Sequence, residues 1–289
     1  MLKLRWLQYA MISPVQIALV AIILLPSIYV LWLSFNQSSF GANPVFVGLD
    51  NYVFILSDPI FWRAVVNTLV ITNGVVFLEL VFGVGLALLM TGWVPGKRVV
   101  ISLLLLPYAV TEVSAVVMWR FMLQPDVGLI NYTLQQIGLP QLLWATDRWQ
   151  AMLVITVLTV WLTLPFTFLI IYSALLALPR ELIEAAVVDG ANRLQVFWRV
   201  IMPTIMPAVL IALVFRYIFA LRLFSEVWLL TGGGPARRTE VVSVYLYRYG
   251  FRYNEFGVAS AAGWIILILS FVTAIYYVRQ MYRRMFRDA

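Results

Sequence analysis

The chain contains neither cysteine nor histidine, and only 11% of its residues carry a charge. The two missing residue types exclude disulfides, thiol nucleophiles, Ser-His-Asp triads, imidazole acid–base chemistry and zinc sites built from the usual ligands. The redox state of the compartment is equally unreadable. Soluble domains run at roughly 25% charged and 45–50% apolar residues, whereas here 63% are apolar and the mean hydropathy is +0.93. A water-soluble fold has no way to hide so much hydrocarbon. A phosphate-cradling G-x-x-x-x-G-K-[ST] loop is missing too. Its nearest approach, Gly92 to Arg98, has the wrong spacing and an Arg where a hydroxyl belongs.

What the chain does have is long apolar runs. Six stand out, approximately 14–35, 64–90, 99–123, 151–177, 204–230 and 257–280. Each is long enough to cross a hydrocarbon core of about 30 Å at about 1.5 Å per residue. The runs are continuously apolar rather than alternating, which predicts helices and not a β-barrel. The fold class expected is therefore an all-α membrane protein of about six transmembrane helices, forming one integrated domain over residues 1–289.

Lys3 and Arg5 precede the first run, which is too long for a signal-peptide core and has no obvious small-residue cleavage site; a retained first helix is expected. The +7 net charge reads as Lys and Arg at span ends rather than as a nucleic-acid surface. Eleven Lys and Arg, from Lys3 to Arg287, fall in the termini and the 91–98 and 178–203 loops, against six in the opposite set. That asymmetry predicts both termini in the cytoplasm, although Arg237, Arg238, Arg248 and Arg252 weaken it. Trp32, Trp62, Trp93, Trp149 and Tyr282 suit interfacial belts, and Pro14, Pro26, Pro107, Pro165 and Pro207 suit bends.

The 178–203 connection is too long for a turn and too polar to cross. Ile183, Ala186, Val187, then Leu194, Phe197, Trp198 and Ile201 recur at amphipathic spacing, predicting two short helices that meet near Gly190. Pro179 suits a helix start, Glu181 and Glu184 suit the positive end of its dipole, and Asp189 precedes Arg193 by four. Spacing alone fits either a segment lying on the membrane surface or a docking site for another protein.

The run Glu184-Ala185-Ala186, three residues, Gly190, nine more, then Val200-Ile201-Met202-Pro203 resembles the EAA loop of ABC-importer permeases, with Val200 and Met202 replacing Ile and Leu of its I-x-L-P ending. Leu230-Thr231-Gly232-Gly233-Gly234-Pro235, with Thr239 and Tyr247 beyond, is similar to the loop between the last two spans of sugar-type members. The resemblance implies a type I importer permease bundle in a bacterial inner membrane. Glu184, Ala185, Ala186, Asp189, Gly190 and Pro203 would form its coupling element, gripped by a cytoplasmic ATPase.

It also implies a second permease subunit, two ATPase subunits, and a periplasmic solute-binding protein that meets Gly232, Gly233, Gly234 and Pro235, a stretch otherwise readable as a plain flexible turn. Lipid is the other expected partner, with no nucleic acid. The chain itself is expected to be non-catalytic and without cofactor, ATP and Mg²⁺ belonging to the ATPase. A self-contained carrier or channel is the alternative; a membrane enzyme lacks any tight acidic pair or metal-ligand spacing.

Ionisable residues within spans mark pathways by default. Glu79, Glu112, Arg120, Arg216, Arg222 and Glu226 qualify, with Arg222 and Glu226 also able to pair four apart on one helix face and Arg120 able to snorkel. Asn67, Asn73, Trp119, Trp161, Tyr217 and Tyr245 would add hydrogen bonds and aromatic faces, or merely packing and anchoring. If Arg216 or Arg222 lines the route, an anionic sugar derivative fits.

Overall fold

The computed structural model describes residues 2–125 and 127–285. Arg287 lies outside the described residues, as do the side chains of Lys3, Arg5, Tyr282, Arg283 and Arg284. Apart from one two-residue antiparallel pair, β1 (Asn36–Gln37) with β2 (Val45–Phe46), the regular structure is helical. In order the helices are α1 (Leu2–Ser34), α2 (Asp50–Ser57), α3 (Pro59–Thr91), α4 (Lys97–Ala109), α5 (Glu112–Met122), α6 (Leu129–Gln136) and α7 (Arg148–Leu176). There follow α8 (Arg180–Val188), α9 (Arg193–Val196), α10 (Met202–Ala220), α11 (Ser225–Leu230), α12 (Val242–Tyr247) and α13 (Phe256–Met285).

Five helical stretches among the described residues are long and apolar enough to span a membrane: Met11–Ser34, Pro59–Thr91, Arg148–Leu176, Arg193–Ala220 and Phe256–Thr273. A sixth is reached if α4 and α5 count as one. Two expected spans change shape. The 99–123 run breaks into α4 and α5, which bend by 100°. Val110 is extended, Pro107 sits in the last turn of α4, and the Thr111 hydroxyl caps α5 by accepting from Ser114 N–H. The 204–230 run stops at Ala220, followed by a turn and then α11. Leu223 is buried in a core with α5 and α7, and Phe224 stacks on Trp228, so packing overrides helical continuity. As a result Arg222 and Glu226 do not share a helix face.

Contacts gather into two compact units, Met1–Phe61 with Tyr245–Leu269 and Trp62–Val244 with Ser270–Ala289. In the first, Asn51 Nδ2 donates to the carbonyls of Ser34 (2.9 Å) and Asn36 (3.0 Å), and the Tyr245 hydroxyl donates to Asp58 Oδ2 at 2.9 Å. Gly257 lies against this knot: a Cβ there would stand 2.0 Å from the Asn36 carbonyl oxygen.

In the second unit, α7 is the central post and packs against α4 and α10. Lipid is as apolar as a leucine side chain, so helix association inside it depends on close packing and polar contacts. Gly83 and Gly74 of α3 supply the close packing, facing Thr167 and Thr156 of α7. The polar contact is a buried ion pair: Arg216 of α10 forks onto Glu79 of α3, with Nη2 to Oε1 at 2.8 Å. Both side chains are sealed from solvent, and Thr163 and Thr167 of α7 donate to the same carboxylate.

Candidate functional site

The second unit carries two arrangements of functional interest. The first is the elbow between α7 and α10. Pro179 occupies the N-cap of α8 and Glu181 its first turn, where a carboxylate meets the positive end of the dipole. At the other end Gly190 adopts φ +84°, Ala191 N–H bonds the Ala186 carbonyl at 2.9 Å, and Gly190 N–H bonds the Val187 carbonyl at 3.0 Å. Those two bonds make a Schellman closure, whose left-handed residue is best served by glycine. Asn192 then opens α9 with a reciprocal capping box: its Oδ1 accepts from Gln195 N–H at 2.9 Å, and Gln195 Oε1 accepts from Asn192 N–H at 2.8 Å.

Asp189 is the C-cap of α8 and Arg193 the first residue of α9, so the spacing of four does not create a same-face pair. Gly190 is where one helix is closed just before the next is opened, as its place in the sequence led us to expect. From Phe197 to Ile201 the chain forms a π-helical turn ahead of Pro203, which lacks an N–H for the ordinary ladder. Glu184, Ala185, Asp189 and Gly190 are exposed, Ala186 is partly so, and no residue of α8 is buried. Leu182, Val187, Val188, Leu194 and Trp198 are exposed as well, leaving an apolar surface on a rigid, doubly capped joint.

The second arrangement is a cavity of about 380 Å³. It opens between the end of α4, the start of α5, one face of α7, the end of α10 with the turn after it, and the start of α11. Four of the expected pathway residues meet there: Glu112, Arg216, Arg222 and Glu226. Arg216 is 4% exposed and held by Glu79, while Nη2 also donates to Thr163 Oγ1 at 2.7 Å. Glu226 is 5% exposed, and its Oε2 has no hydrogen-bond donor within reach. It lies beyond the end of the fifth span, and burial pushes its carboxyl up to about 8, with the neighbouring Glu112 carboxyl pushing the same way. The Tyr108 and Phe166 rings stack at 6.3 Å between centroids and give the cavity an aromatic wall.

The other pathway candidates stand elsewhere. Asn67 is buried and structural: its Nδ2 donates to the carbonyls of Arg238 and Glu240 at 2.9 Å each, and its Oδ1 accepts from Arg148. Asn73 donates to the Leu69 carbonyl of its own helix at 2.7 Å. Trp119 and Trp161 pack on each other, with ring centroids 5.8 Å apart. Tyr217 is buried with Val76 and Ala220. Tyr245 belongs to the first unit, and Arg120 donates to the Leu229 carbonyl at 3.3 Å.

Sequence reading missed Tyr108, Thr159, Thr163, Phe166 and Phe219 as cavity lining. Thr159, Thr163 and Thr167 do leave a trace, a polar stripe of period four on an otherwise apolar helix.

The Gly232–Pro235 stretch is tightly held. Gly232 and Gly233 have positive φ, Gly233 N–H bonds Thr231 Oγ1 at 3.1 Å, and Thr239 Oγ1 donates to the Gly234 carbonyl. The buried Glu240 carboxylate pairs with Arg237 Nη2 at 2.6 Å and packs under Gly233. Among the described residues no cluster of His, Cys, Asp and Glu suits a metal ion.

Against this geometry the likenesses are consistent. The profile of the family described as binding-protein-dependent transport system inner membrane component matches residues 54–287. The trehalose/maltose transport system permease protein MalF of Thermococcus litoralis is 32% identical over 281 residues, 96% of this chain and 95% of that protein. The sn-glycerol-3-phosphate transport system permease protein UgpA of Escherichia coli is 32% identical over 94% of this chain and 92% of its own length. Among solved structures, a bacterial ABC transporter involved in importing the acidic polysaccharide alginate superposes with a TM-score of 0.84 at 25% identity, covering 97% of this chain and 96% of that one.

Proposed function

The chain belongs to the binding-protein-dependent transport system inner membrane component family, and from that premise we propose that it is the permease subunit of an ATP-driven importer for a sugar or sugar derivative. The observation that carries this reading is the elbow: a rigid, exposed joint with an apolar surface, set directly between two spans. A self-contained carrier has no use for such a handle.

Coupling requires an element that an outside motor can grip and whose position differs between inward-facing and outward-facing states. Because α8 and α9 are each capped, force on Glu184, Ala185 and Ala186 passes to α7 and, through the π turn and Pro203, to α10. Both helices border the cavity, so their displacement alters access to it. ATP and Mg²⁺ would be held by two cytoplasmic ATPase subunits, and a second permease chain would complete the pathway. A periplasmic binding protein would deliver cargo, in keeping with a relative solved in complex with a periplasmic protein carrying an alginate pentasaccharide. The termini and elbow would be cytoplasmic and the glycine loop periplasmic. The pinned loop presents the exposed Ala236 and Arg238 at its rim, a preorganised surface for that delivery.

The test is co-purification with the ATPase subunit and ATP-dependent uptake in reconstituted vesicles. Gly190→Trp, which forces a bulky side chain onto a left-handed backbone at the joint, is expected to abolish both. Full assembly and uptake in that variant would remove the elbow from the mechanism.

A further inference from the structure

The named relatives divide by cargo chemistry: trehalose and maltose are uncharged, whereas glycerol phosphate and alginate are anionic. In this chain the charged groups of the cavity speak to that division. An anion would look first to Arg216, the most buried cation of the cavity wall, but the guanidinium fork is closed on Glu79 and Thr163. It therefore has no bidentate face left for a phosphate or carboxylate. The second cation, Arg222, is exposed on the turn after α10.

Against them stand two carboxyls, Glu112 at the start of α5 and Glu226 at the start of α11. Glu226 is 5% exposed, and among the described residues no donor satisfies its Oε2. An orphaned polar atom in so buried a site is costly if nothing ever meets it. The groups facing it from the surrounding elements are Glu112 of α5, Arg216 of α10, Arg222 of the turn and Tyr108 of α4. Burial acts most strongly on its carboxyl, followed by Glu112, which is both a like group and a hydrogen-bond partner; Arg216, already paired with Glu79, acts the other way and less. With its ionisation pushed up to about 8, Glu226 carries a proton at neutral pH. A neutral carboxylic acid both donates and accepts, as does a sugar hydroxyl. Thr159 spends its proton on the Ile155 carbonyl and keeps lone pairs for the cavity, and the Tyr108–Phe166 wall offers an apolar face.

Building on the importer reading, we propose that Glu226 and Glu112 are the cargo-recognition pair of this cavity: they take the hydroxyl groups of a small uncharged sugar, while the cavity, with Arg216 spent on Glu79 and Thr163, has no guanidinium fork open to a phosphate- or carboxylate-bearing analogue. The pair sits at the junction of α5 and α11, two elements that pack directly on one another, so its geometry is fixed before cargo arrives.

The complete importer, reconstituted in vesicles with its binding protein, is assayed for ATP-dependent uptake of radiolabelled trehalose and sn-glycerol 3-phosphate. Trehalose uptake is expected to exceed glycerol phosphate uptake at least tenfold and to fall severalfold between pH 7 and 9, as Glu226 loses its proton and its donor. Glu226→Ala should lower trehalose uptake at least tenfold. Glu226→Gln, similar in shape and unable to ionise, should flatten the pH profile, and it keeps the test decisive should the alanine variant fail to assemble.

Preferential uptake of glycerol phosphate, absent trehalose uptake, or a Glu226→Gln profile that still falls with pH would each overturn the assignment. If the ATPase co-purifies in any of these cases, the importer reading survives; if it does not and neither probe moves with ATP, both readings fall.

Discussion

Arg216 illustrates how a residue's neighbours decide its role. Its position in an apolar run marks it as a pathway candidate, yet the fold gives Nε and Nη2 of its guanidinium to Glu79 and the Thr163 hydroxyl. Buried pairs contribute modestly as pairs but leave an expensive remnant when broken. Arg216→Ala should therefore destabilise the purified protein by about 3–5 kcal/mol, read as a lowered thermal midpoint in detergent. The Glu79→Ala, Arg216→Ala double variant should lose much less than the sum of the singles, because neither charge is then stranded. At Gly257 the constraint is space. Gly257→Ala drives a methyl against the Asn36 carbonyl and should cost about 1–3 kcal/mol, visible as faster proteolysis between residues 36 and 51. Neither partnership could be read from the sequence, since Glu79 and Arg216 are 137 positions apart and Gly257 and Asn36 more than 200.

At the scale of elements, the elbow was legible in the sequence and the broken helices were not. Periodicity, Pro179 and Gly190 foretell two short helices with a joint. The Asn192–Gln195 capping box was not read from the sequence and came to light only in the structure. Rigid caps imply that small backbone changes at the joint have large effects. Gly190→Ala has room for its methyl but must hold φ near +84°, a strain of about 1 kcal/mol. Gly190→Asn should be milder, since asparagine tolerates that conformation. Co-purified ATPase is thus expected to decrease in the order Gly, Asn, Ala, and Asn192→Ala should weaken it by about 1 kcal/mol. The breaks at Val110 and after Ala220 escape hydropathy because the flanking residues stay apolar. Thr111 and Pro107 hint at the first, whereas only the burial of Leu223 against α5 and α7 produces the second.

For the whole molecule, the absence of cysteine makes topology directly measurable. Val188→Cys on the elbow should react with an impermeant maleimide only from the cytoplasmic face, and Ala236→Cys on the glycine loop only from the periplasmic face. Both positions are exposed, and no native thiol competes. Labelling of both from one side would overturn the proposed orientation. The Asn67 clasp ties the glycine loop to α3 and, through Arg148, to the start of α7, so the loop and these two helix ends form one connected piece.

By itself the amino-acid sequence determined that the chain is a helical membrane protein, where the elbow between α7 and α10 lies and which family carries it. Those properties depend on composition, period and short motifs, all local along the chain. The tertiary structure alone decided which polar residues inside the apolar runs are spent on packing and which face the cavity. Asn67, Asn73, Arg216 and Glu226 look alike to hydropathy, since each is a costly group awaiting a partner. Three of them find that partner in the protein, across helices or within one. Glu226 meets only the like carboxyl of Glu112 and its own backbone, and its Oε2 is left unsatisfied. Satisfaction of a buried polar group is a pairwise, long-range property, and only the folded arrangement of helices assigns it.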